Sequence, residues 1–362
     1  MQATPRGYIY LQAWRIKKTY GSFDNTLRQA MRIGSEPTCR RRGGRGFSNE
    51  LFLGETPAMR AIIYRRYGGP EVLEYVETDE PKLGQNSVLV RIKAASLNPA
   101  DVALQAGMGV AHMDTWFPVI PGWDVAGIVE TVGAGVTEFK SGDRVLGYVR
   151  QEILHSGGYA ELIAVPVEML VPLPTAIDFI TGAALPLVGL TAWRAVIETL
   201  DPAAGTTMLL HGAAGGVGAI AAQLAMQRGV RVIGTTSPLN LDYLQSLGVE
   251  PVAYGDGMRD EVLRLAPTGV DMVLDCSGRA ALGRTDAWRN AHTRIVSIAA
   301  SGPGITTVFA RADSVALASL VRMVEKGDLA ITIAGTFPLE EAAAAQRALA
   351  NRHASGKWVL HM

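Results

Sequence analysis

Residues 205–237 constrain the fold more than any other stretch, because they place a glycine turn between two short apolar runs. The motif Ala213-x-Gly215-x-x-Gly218 directly follows the first run, residues 208–210. Apolar residues then recur at helical spacing up to the second run. This order predicts strand, turn, helix and strand, with a helix N-terminus that binds a pyrophosphate. A tight turn that binds nothing is the alternative.

The composition is that of a soluble globular protein with two domains. The 362 residues are 48% hydrophobic and 19% charged, and no run approaches the ~20 apolar residues that span a bilayer. The first 58 residues are basic and the remainder is mildly acidic, so we expect no membrane and no nucleic acid as partners. The two cysteines, Cys39 and Cys276, cannot make a disulfide framework, which predicts a cytoplasmic protein.

The first 58 residues also differ from the rest of the chain in their weak periodicity. They contain the arginine- and glycine-rich run of residues 39–46, which is typical of a transit peptide or of a nucleic-acid-binding tail. Strand-like sequence begins directly after Met59. We therefore favour a disordered extension, residues 1–58, or translation that starts at Met59.

The remaining chain divides into a strand-rich part and a part in which helices and strands alternate. Residues 59–183 hold many short strand-like runs separated by glycines, among them the alternating residues 88–94. This pattern predicts a mostly β, barrel-like domain. From residue 184 onward, apolar runs such as residues 270–274 and 294–298 alternate with helical patterns. These predict a doubly wound α/β domain.

Motifs along residues 59–362 resemble those of one known family. They are, in order, YRRYGGP (64–70), SLNPAD (96–101), FPVIPGWDVAG (117–127), VGAGV (132–136), GDRV (142–145), GGYA (157–160), GLTA (189–192), HGAAGGVG (211–218) and GK (356–357). The set resembles the medium-chain dehydrogenase/reductase superfamily, in its zinc-free, zeta-crystallin-like quinone oxidoreductase branch. The resemblance implies a GroES-like catalytic domain at residues 59–183, a Rossmann domain at residues 184–325 and a return to the first domain at residues 326–362. It also implies a homodimer.

Zinc-dependent members of the superfamily carry a cysteine and a Gly-His-Glu motif at two places where this chain differs. Here these places hold Asn98 and Gly122-Trp123-Asp124. Catalytic zinc requires three protein ligands with N, S or O atoms, and Asn98 and Trp123 do not provide them. We therefore predict that the protein binds no metal and does not perform zinc-assisted alcohol oxidation.

The residues after the second apolar run indicate which nicotinamide cofactor the turn binds. NAD-specific sites place a carboxylate about 20 positions beyond the glycines, whereas counting from Gly215 reaches Thr235. The hydroxyls of Thr236 and Ser237 and the amide of Asn240 suit the 2′-phosphate of NADPH instead. The alternative for Ser237 and Asn240 is to form a turn and to cap the following helix.

Two groups of residues are predicted to bind NADPH. The sequence pattern gives Ala213, Gly215, Gly216, Val217, Gly218, Thr236, Ser237 and Asn240. The resemblance adds Tyr254, Ser277, Gly278, Ala299, Ala300, Arg352 and Lys357.

The predicted catalytic residues lie within or beside the family motifs. They are Tyr64, Asn98, Asp101 and Thr191. The resemblance implies that Asn98 lies near the nicotinamide and the substrate and that Asp101 orients its loop. Helix capping is the alternative for Asp101. We predict structural roles for His211 and Cys276 rather than those of a general base and a nucleophile.

The predicted substrate pocket departs from that of the resembled branch. Quinone reductases of this branch often carry tyrosines where this chain has Ala103 and Gly109. Trp116, Phe117 and Trp123 either supply the aromatic lining instead or pack inside the β domain.

Three functions remain open at this point. The first is an NADPH-dependent oxidoreductase that transfers a hydride to a quinone or a similar activated double bond, without zinc. The second is an enone, 2-alkenal or enoyl-thioester reductase, in which a proton donor such as Tyr64 matters more. The third is an NADPH-binding module with little turnover, because fold alone does not decide function.

Overall fold

The computed structural model describes residues 58–109, 112–277, 288–350 and 355–362, without the side chains of residues 290 and 291. Apart from Ala58, the predicted N-terminal extension therefore lies outside the described residues. Within the described part, no helix is long and apolar enough to cross a lipid bilayer.

The N-terminal domain, here called the barrel domain, consists mainly of strands. They are β1 (Ala58–Ile63), β2 (Glu74–Asp79), β3 (Ser87–Ser96), β4 (Asp114–Thr115), β5 (Asp124–Val132), β6 (Arg144–Tyr148), β7 (Ile153–Leu154), β8 (Leu162–Pro166) and β9 (Leu170–Pro172). Strand β3 pairs antiparallel with both β5 and β8. Its alternating Val88, Val90 and Ile92 are buried against Val129 and Val145. The alternation that predicted this strand therefore also builds the barrel core. Helix α1 (Pro99–Gln105) follows β3.

The second domain, called the Rossmann domain, is a parallel sheet with helices on its faces. Its strands are β10 (Thr207–His211), β11 (Arg231–Thr236), β12 (Glu250–Ala253), β13 (Val270–Asp275), β14 (Arg289–Ser297) and β15 (Ile305–Thr307). Their order across the sheet is β12-β11-β10-β13-β14-β15. The order reverses between β10 and β13, and open sheets of this type bind ligands at such a switch point. The predicted α/β fold class, a mostly β barrel domain beside a doubly wound Rossmann domain, is confirmed.

Helices follow most strands of the second half of the chain. They are α2 (Phe179–Ala184), α3 (Pro186–Trp193) with its π-helical continuation Arg194–Leu200, α4 (Gly216–Gln227), α5 (Leu241–Ser246), α6 (Met258–Leu265), α7 (Ser314–Lys326) and α8 (Ala342–Ala350). In β10, Met208 and Leu210 share a core with Ile220 and Leu224 of α4, whereas Leu209 packs into a different cluster. Both faces of β10 are thus covered, which explains its uninterrupted apolar run.

The C-terminal strands β16 (Ile333–Pro338) and β17 (Lys357–His361) join the sheet of the barrel domain. Strand β17 pairs antiparallel with the end of β3 and parallel with β16. The chain therefore crosses from the Rossmann sheet back to the barrel sheet before it ends. The domain boundaries at residues 59, 184 and 326 stay predictions.

Candidate active site

The glycine turn lies between β10 and the N-terminus of α4, at the switch point of the sheet. A Cβ atom on Gly218 would overlap the carbonyl oxygen of Gly212, so the helix can approach the turn this closely only with glycine there. Ala213 is fully buried, and its methyl group faces Gly234 of β11. This packing is why an alanine is accommodated at the first position of the motif.

The turn has the features of an anion-binding site. Helix α4 begins at Gly216, and its first turn carries no acidic residue. Gly215 is exposed and Gly216 is half-buried, whereas Val217 and Gly218 are buried. The first N–H groups of an α-helix lack partners within the helix, so the exposed start of α4, with the positive end of its dipole, is suited to meet an anionic ligand. These residues fit the pyrophosphate of a dinucleotide.

The end of β11 holds the predicted 2′-phosphate residues. Thr236 and Ser237 are buried, and the Ser237 hydroxyl has no hydrogen-bond partner among the described residues. Asn240 ends the short turn of 3₁₀ helix Pro238–Asn240, and the Tyr254 N–H donates to the Thr236 carbonyl at 2.9 Å. The structure thus brings these residues to one edge of the sheet. Their role in binding a cofactor stays a prediction.

One buried carboxylate, which the sequence analysis did not select, joins the predicted loops after β13 and β14. Asp275 accepts hydrogen bonds from the Ser277 N–H and hydroxyl, at 2.9 and 2.6 Å, and from the Ser297 hydroxyl at 2.9 Å. Ser297 Oγ in turn accepts the N–H groups of Ala299 and Ala300. Asp275 directly follows an apolar run, and this position could have identified it from the sequence as a residue of the site.

Two of the predicted cofactor residues, Gly278 and Arg352, lie outside the described residues. Their roles stay predictions from the family motifs.

A second buried carboxylate, Asp124, begins β5 and has no access to solvent. Its Oδ2 accepts hydrogen bonds from Ser96 Oγ and Asn98 Nδ2, both at 2.8 Å. Its Oδ1 accepts the Leu187 N–H of helix α3, also at 2.8 Å. Asp124 therefore connects the barrel sheet to a helix that packs on the Rossmann domain.

The ammonium group of Lys357 completes this cluster. It donates to the Leu97 carbonyl at 2.7 Å and to Asn98 Oδ1, and it lies 3.8 Å from Asp124 Oδ2. Burial lowers the pKa of Lys357 and raises that of Asp124, and the attraction between the two charges opposes both changes. The Lys357 ammonium is thus directed at the barrel domain. A contact between Lys357 and the cofactor remains a prediction.

Asp101 sits beside this cluster, in the first turn of α1. Its Oδ2 accepts the Asn98 N–H at 2.9 Å and the Tyr159 hydroxyl at 3.2 Å. The first of these bonds caps helix α1, which is the structural role that the sequence analysis gave as the alternative for Asp101. Its Oδ1 is buried and has no partner among the described residues. Burial, together with the nearby charge of Asp124, raises the pKa of Asp101 to about 7.

The four predicted catalytic side chains are at most 4% exposed. Tyr64 and Asp101 line one small pocket, which Leu104, Trp123 and His155 also border. Asn98 adjoins this group through its hydrogen bond to Asp101, and the Thr191 hydroxyl donates to the Leu187 carbonyl within α3. The structure therefore brings Tyr64, Asn98 and Asp101 together, and Thr191 lies one helix turn from the Asp124 contact.

An aromatic cluster borders the pocket at the surface. Phe117 is 41% exposed and meets Tyr64 edge to face at 5.9 Å and Tyr67 at 5.2 Å. Trp116 is also exposed and lies against His155. Tyr67 was missed in the sequence analysis, because only the folded chain brings it next to Phe117.

Three other residues pack against neighbouring side chains, and of these Trp123 also borders the pocket and Cys276 is only partly buried. Trp123 is buried edge-on against Tyr148, which supports a packing role. His211 is buried, its Nδ1 lies 3.0 Å from Thr235 Oγ1, and burial lowers its pKa to about 4. Burial likewise raises the pKa of the Cys276 thiol, which disfavours the nucleophilic thiolate.

The residues at the places of a catalytic zinc do not fit that metal. Asn98 Oδ1 already accepts a hydrogen bond from the Lys357 ammonium, and this positive charge lies beside Asp124. A zinc ion there would be repelled by the ammonium. Across the part of the chain that the structure describes, no group of three or more His, Cys, Asp or Glu side chains could hold a metal ion.

Comparison with known proteins gives matches in both halves of the chain. Residues 84–175 match the alcohol dehydrogenase GroES-like domain, and residues 247–360 match the zinc-binding dehydrogenase family. The quinone oxidoreductase of Mus musculus is 30% identical over 332 residues, which cover 83% of this chain and 96% of that protein. The chloroplastic NADPH-dependent alkenal/one oxidoreductase of Arabidopsis thaliana is 32% identical over 313 residues, covering 84% and 79%.

A solved structure is similar over the same region. The quinone oxidoreductase from Coxiella burnetii superposes with a TM-score of 0.76 at 29% identity, and the match covers 84% of this chain and all of that one. A GroES-like barrel domain joined to a Rossmann domain with an open glycine turn defines an oxidoreductase that binds a nicotinamide cofactor. This chain belongs to the medium-chain dehydrogenase/reductase superfamily, in the quinone oxidoreductase branch. The family predicted from the motifs is confirmed.

We predict that Asp101→Asn changes the way in which stability depends on pH. Because the pKa of Asp101 is raised to about 7 on folding, the folded protein retains a proton that the unfolded chain releases above about pH 4. This contribution to stability is complete below about pH 4 and is lost as the pH rises to about 7. Asparagine resembles the protonated carboxyl and keeps an oxygen for the Asn98 N–H, so the variant escapes this loss.

Urea unfolding of both proteins between pH 5 and pH 8 checks this prediction. As the pH rises toward 7, the wild type should lose up to about 1.4 kcal/mol of its free energy of unfolding per pH unit relative to the variant. Asp79→Asn, at an exposed carboxyl, is the matched control and should show no such difference. A difference between Asp101→Asn and wild type that is constant with pH would contradict the prediction.

Proposed function

We propose that this protein is a zinc-independent, NADPH-dependent oxidoreductase that transfers a hydride to a quinone or to a similar activated double bond. The observation that carries the proposal is the glycine turn, with Gly215 exposed and Gly216 half-buried at the start of α4 and at the switch point of the sheet. A bound nicotinamide supplies the hydride. The protein holds cofactor and electrophile together and keeps water away from them.

Several groups support NADPH as the cofactor. The backbone from Gly215 to Gly218 would hold the pyrophosphate, and Ser237 offers a buried hydroxyl with no partner among the described residues. Buried hydroxyls normally have a partner, and a 2′-phosphate would provide one. Strand β11 ends without a carboxylate that would repel this phosphate. The relative from Arabidopsis thaliana carries NADPH in its name. Further proposed contacts are Ala213, Thr236, Asn240, Tyr254, Ser277, Gly278, Ala299, Ala300, Arg352 and Lys357.

Zinc independence is supported by the charge already present at the site. The Lys357 ammonium lies between Asn98 Oδ1 and Asp124 Oδ2. Asn98 stands at one of the places that hold a zinc ligand in the zinc-dependent relatives, and Asp124 directly follows Trp123, which stands at another. The ammonium therefore puts a positive charge where it would repel a metal ion.

The aromatic cluster supports a flat acceptor. Phe117 exposes part of its ring beside Tyr64, at the edge of the pocket that Asp101 also lines. Aromatic rings favour offset-stacked or edge-to-face contacts with other rings, as a quinone would offer. The relatives from Mus musculus and Coxiella burnetii are both named quinone oxidoreductases.

A second candidate is an enone or 2-alkenal reductase, or the related enoyl-thioester reductase. The name of the plant relative favours it, and so does the position of the Tyr64 phenol in the pocket. The Tyr64 phenol carries its proton at neutral pH, and burial raises its pKa, which makes it a weaker acid than a tyrosine in water. An NADPH-binding module with little turnover is the third candidate.

Besides the small electrophile, the proposed partner is a second copy of this chain. Strand β15 is at the edge of the Rossmann sheet, and Phe309 and Val315 expose large apolar side chains shortly after it. These features support a homodimer formed along this edge. A cytoplasmic protein without membrane or nucleic-acid partners is the accompanying expectation.

Cofactor oxidation by the purified full-length protein tests the proposed reaction. Absorbance at 340 nm would be followed with NADPH or NADH and with 1,4-benzoquinone, 9,10-phenanthrenequinone or a 2-alkenal, each corrected for its enzyme-free rate. We expect enzyme-dependent oxidation of NADPH by the quinones. Turnover of the alkenal alone would establish the second candidate, and cofactor binding without any turnover would establish the third.

Ser237→Asp should move the preference from NADPH toward NADH. A carboxylate at the end of β11 repels the 2′-phosphate and accepts a hydrogen bond from the ribose 2′-hydroxyl of NADH. The ratio of kcat/KM for NADPH to that for NADH should fall by about tenfold or more, which corresponds to about 1.4 kcal/mol. Ser246→Asp, at an exposed serine at the end of α5, should leave the ratio unchanged. An unaltered ratio in Ser237→Asp would refute this role for Ser237.

Phe117→Ala should weaken the binding of the larger quinone selectively. The three-ring 9,10-phenanthrenequinone loses more aromatic contact than 1,4-benzoquinone does, so its KM should rise by roughly two- to tenfold relative to that of the smaller quinone. Tyr75→Ala removes a ring of β2 that is exposed to nearly the same extent as Phe117 and serves as the control. Equal changes for both quinones would argue against an aromatic contact at Phe117.

A further inference from the structure

The backbone of Gly356 lies directly beside the glycine turn. Gly356 pairs as an isolated parallel bridge with Gly215, the residue before α4. Its φ is +93°, and a Cβ atom on this residue would overlap the Thr332 carbonyl oxygen, so only glycine fits here. The following N–H, of Lys357, donates to the same carbonyl at 2.9 Å. Residues 356 and 357 are therefore held firmly against the turn.

The side chain of Lys357 links this turn to the barrel domain. A Cβ atom on Gly216 would lie 3.0 Å from Lys357 Cδ, so the lysine stem runs alongside the first residue of α4. Beyond the stem, the ammonium is buried against the Leu97 carbonyl, Asn98 Oδ1 and the Asp124 carboxylate. One extended side chain thus touches the turn with its carbons and the barrel domain with its charge.

Electrostatics determine where this side chain can stay. A buried ammonium is stable only with acceptors or an opposite charge around it, and loss of one partner leaves an uncompensated charge. Without the negative charge of Asp124, the Lys357 ammonium would be more stable in water than in this buried position. The stem would then leave the space beside Gly216, and the turn would keep only the packing of Val188 there.

We propose that the Asp124–Lys357 pair positions the pyrophosphate-binding turn, so that cofactor affinity depends on a carboxylate in the other domain. The inference rests on the proposed function, because it requires a cofactor with a pyrophosphate. Asp124 is a positioning residue here, and Lys357 positions the turn in addition to its proposed contact with the cofactor. Their contribution should be specific to ligands that reach the turn.

Fragments of the cofactor test this specificity. 2′-Phospho-ADP-ribose contains the pyrophosphate, whereas adenosine 2′-monophosphate has no 5′-phosphate and reaches only the adenosine end. Calorimetric Kd values would be measured for the full-length wild type, Lys357→Met, Asp124→Asn and the double variant. We expect Lys357→Met and Asp124→Asn to weaken the binding of 2′-phospho-ADP-ribose by about tenfold and that of adenosine 2′-monophosphate by less than about twofold. ADP-ribose and adenosine repeat the comparison without the 2′-phosphate.

The double variant separates positioning from stability. It removes both buried charges, so its melting temperature should recover relative to Asp124→Asn. Because the methionine side chain that replaces Lys357 is no longer tethered by an ion pair, the affinity for 2′-phospho-ADP-ribose should remain weak. Glu130→Gln, which breaks the exposed pair with Arg91, controls for loss of an ion pair elsewhere in the barrel domain and should change neither Kd value.

The outcomes distinguish this inference from the proposed function. Equal weakening of both fragments, or an affinity that recovers together with the melting temperature, overturns the positioning role. A wild type that binds neither 2′-phospho-ADP-ribose nor ADP-ribose overturns the proposed cofactor and this inference with it. A wild type that binds them but reduces no acceptor refutes the proposed reaction alone, and the fragment affinities of the variants still decide the positioning role.

Discussion

One buried carboxylate, that of Asp124, connects the barrel domain to helix α3, which packs on the Rossmann domain. Removing a carboxylate from water is costly unless hydrogen-bond donors replace the water. Here Ser96, Asn98 and Leu187 supply donors at 2.8 Å, and the Lys357 ammonium lies 3.8 Å away. Because these groups come from β3, the start of α1, the start of α3 and β17, the carboxylate is satisfied only when all four elements are in place.

The same cluster bears on the chemistry that the site can support. A catalytic zinc polarises a substrate oxygen as a Lewis acid, whereas the Lys357 ammonium already donates to the Leu97 carbonyl and to Asn98 Oδ1. The charge of Lys357 therefore interacts with buried protein groups and not with a substrate oxygen. A quinone needs less polarisation than a simple carbonyl, because hydride addition restores an aromatic ring. A site in which the Lys357 ammonium is occupied by protein groups thus suits acceptors, such as quinones, that accept a hydride without polarisation by a metal.

The sequence predicted the features that arise from local spacing. The glycine turn, the alternating β3 and the continuous apolar β10 each depend on neighbouring residues, and each was found where the pattern placed it. The Asp124–Lys357 pair and the Tyr67–Phe117 contact join residues far apart in the chain. Their partners follow from how the sheets pack, which no local periodicity encodes. Lys357 was therefore assigned to the cofactor through its motif, without the carboxylate that its ammonium faces.

Two neighbouring carboxyl groups in the site have different surroundings, and this difference determines which one holds a proton. Asp124 receives three hydrogen bonds and faces an ammonium, whereas Asp101 receives two hydrogen bonds and its Oδ1 has no partner among the described residues. Their mutual repulsion is relieved when one is protonated, and Asp124, with more donors around it, is the better anion. Asp101, whose pKa is raised to about 7, is then the member that still holds a proton as the pH approaches neutral. It lines the pocket with Tyr64, and under the proposed function these two groups are the candidates to donate a proton to an oxygen that gains negative charge during reduction.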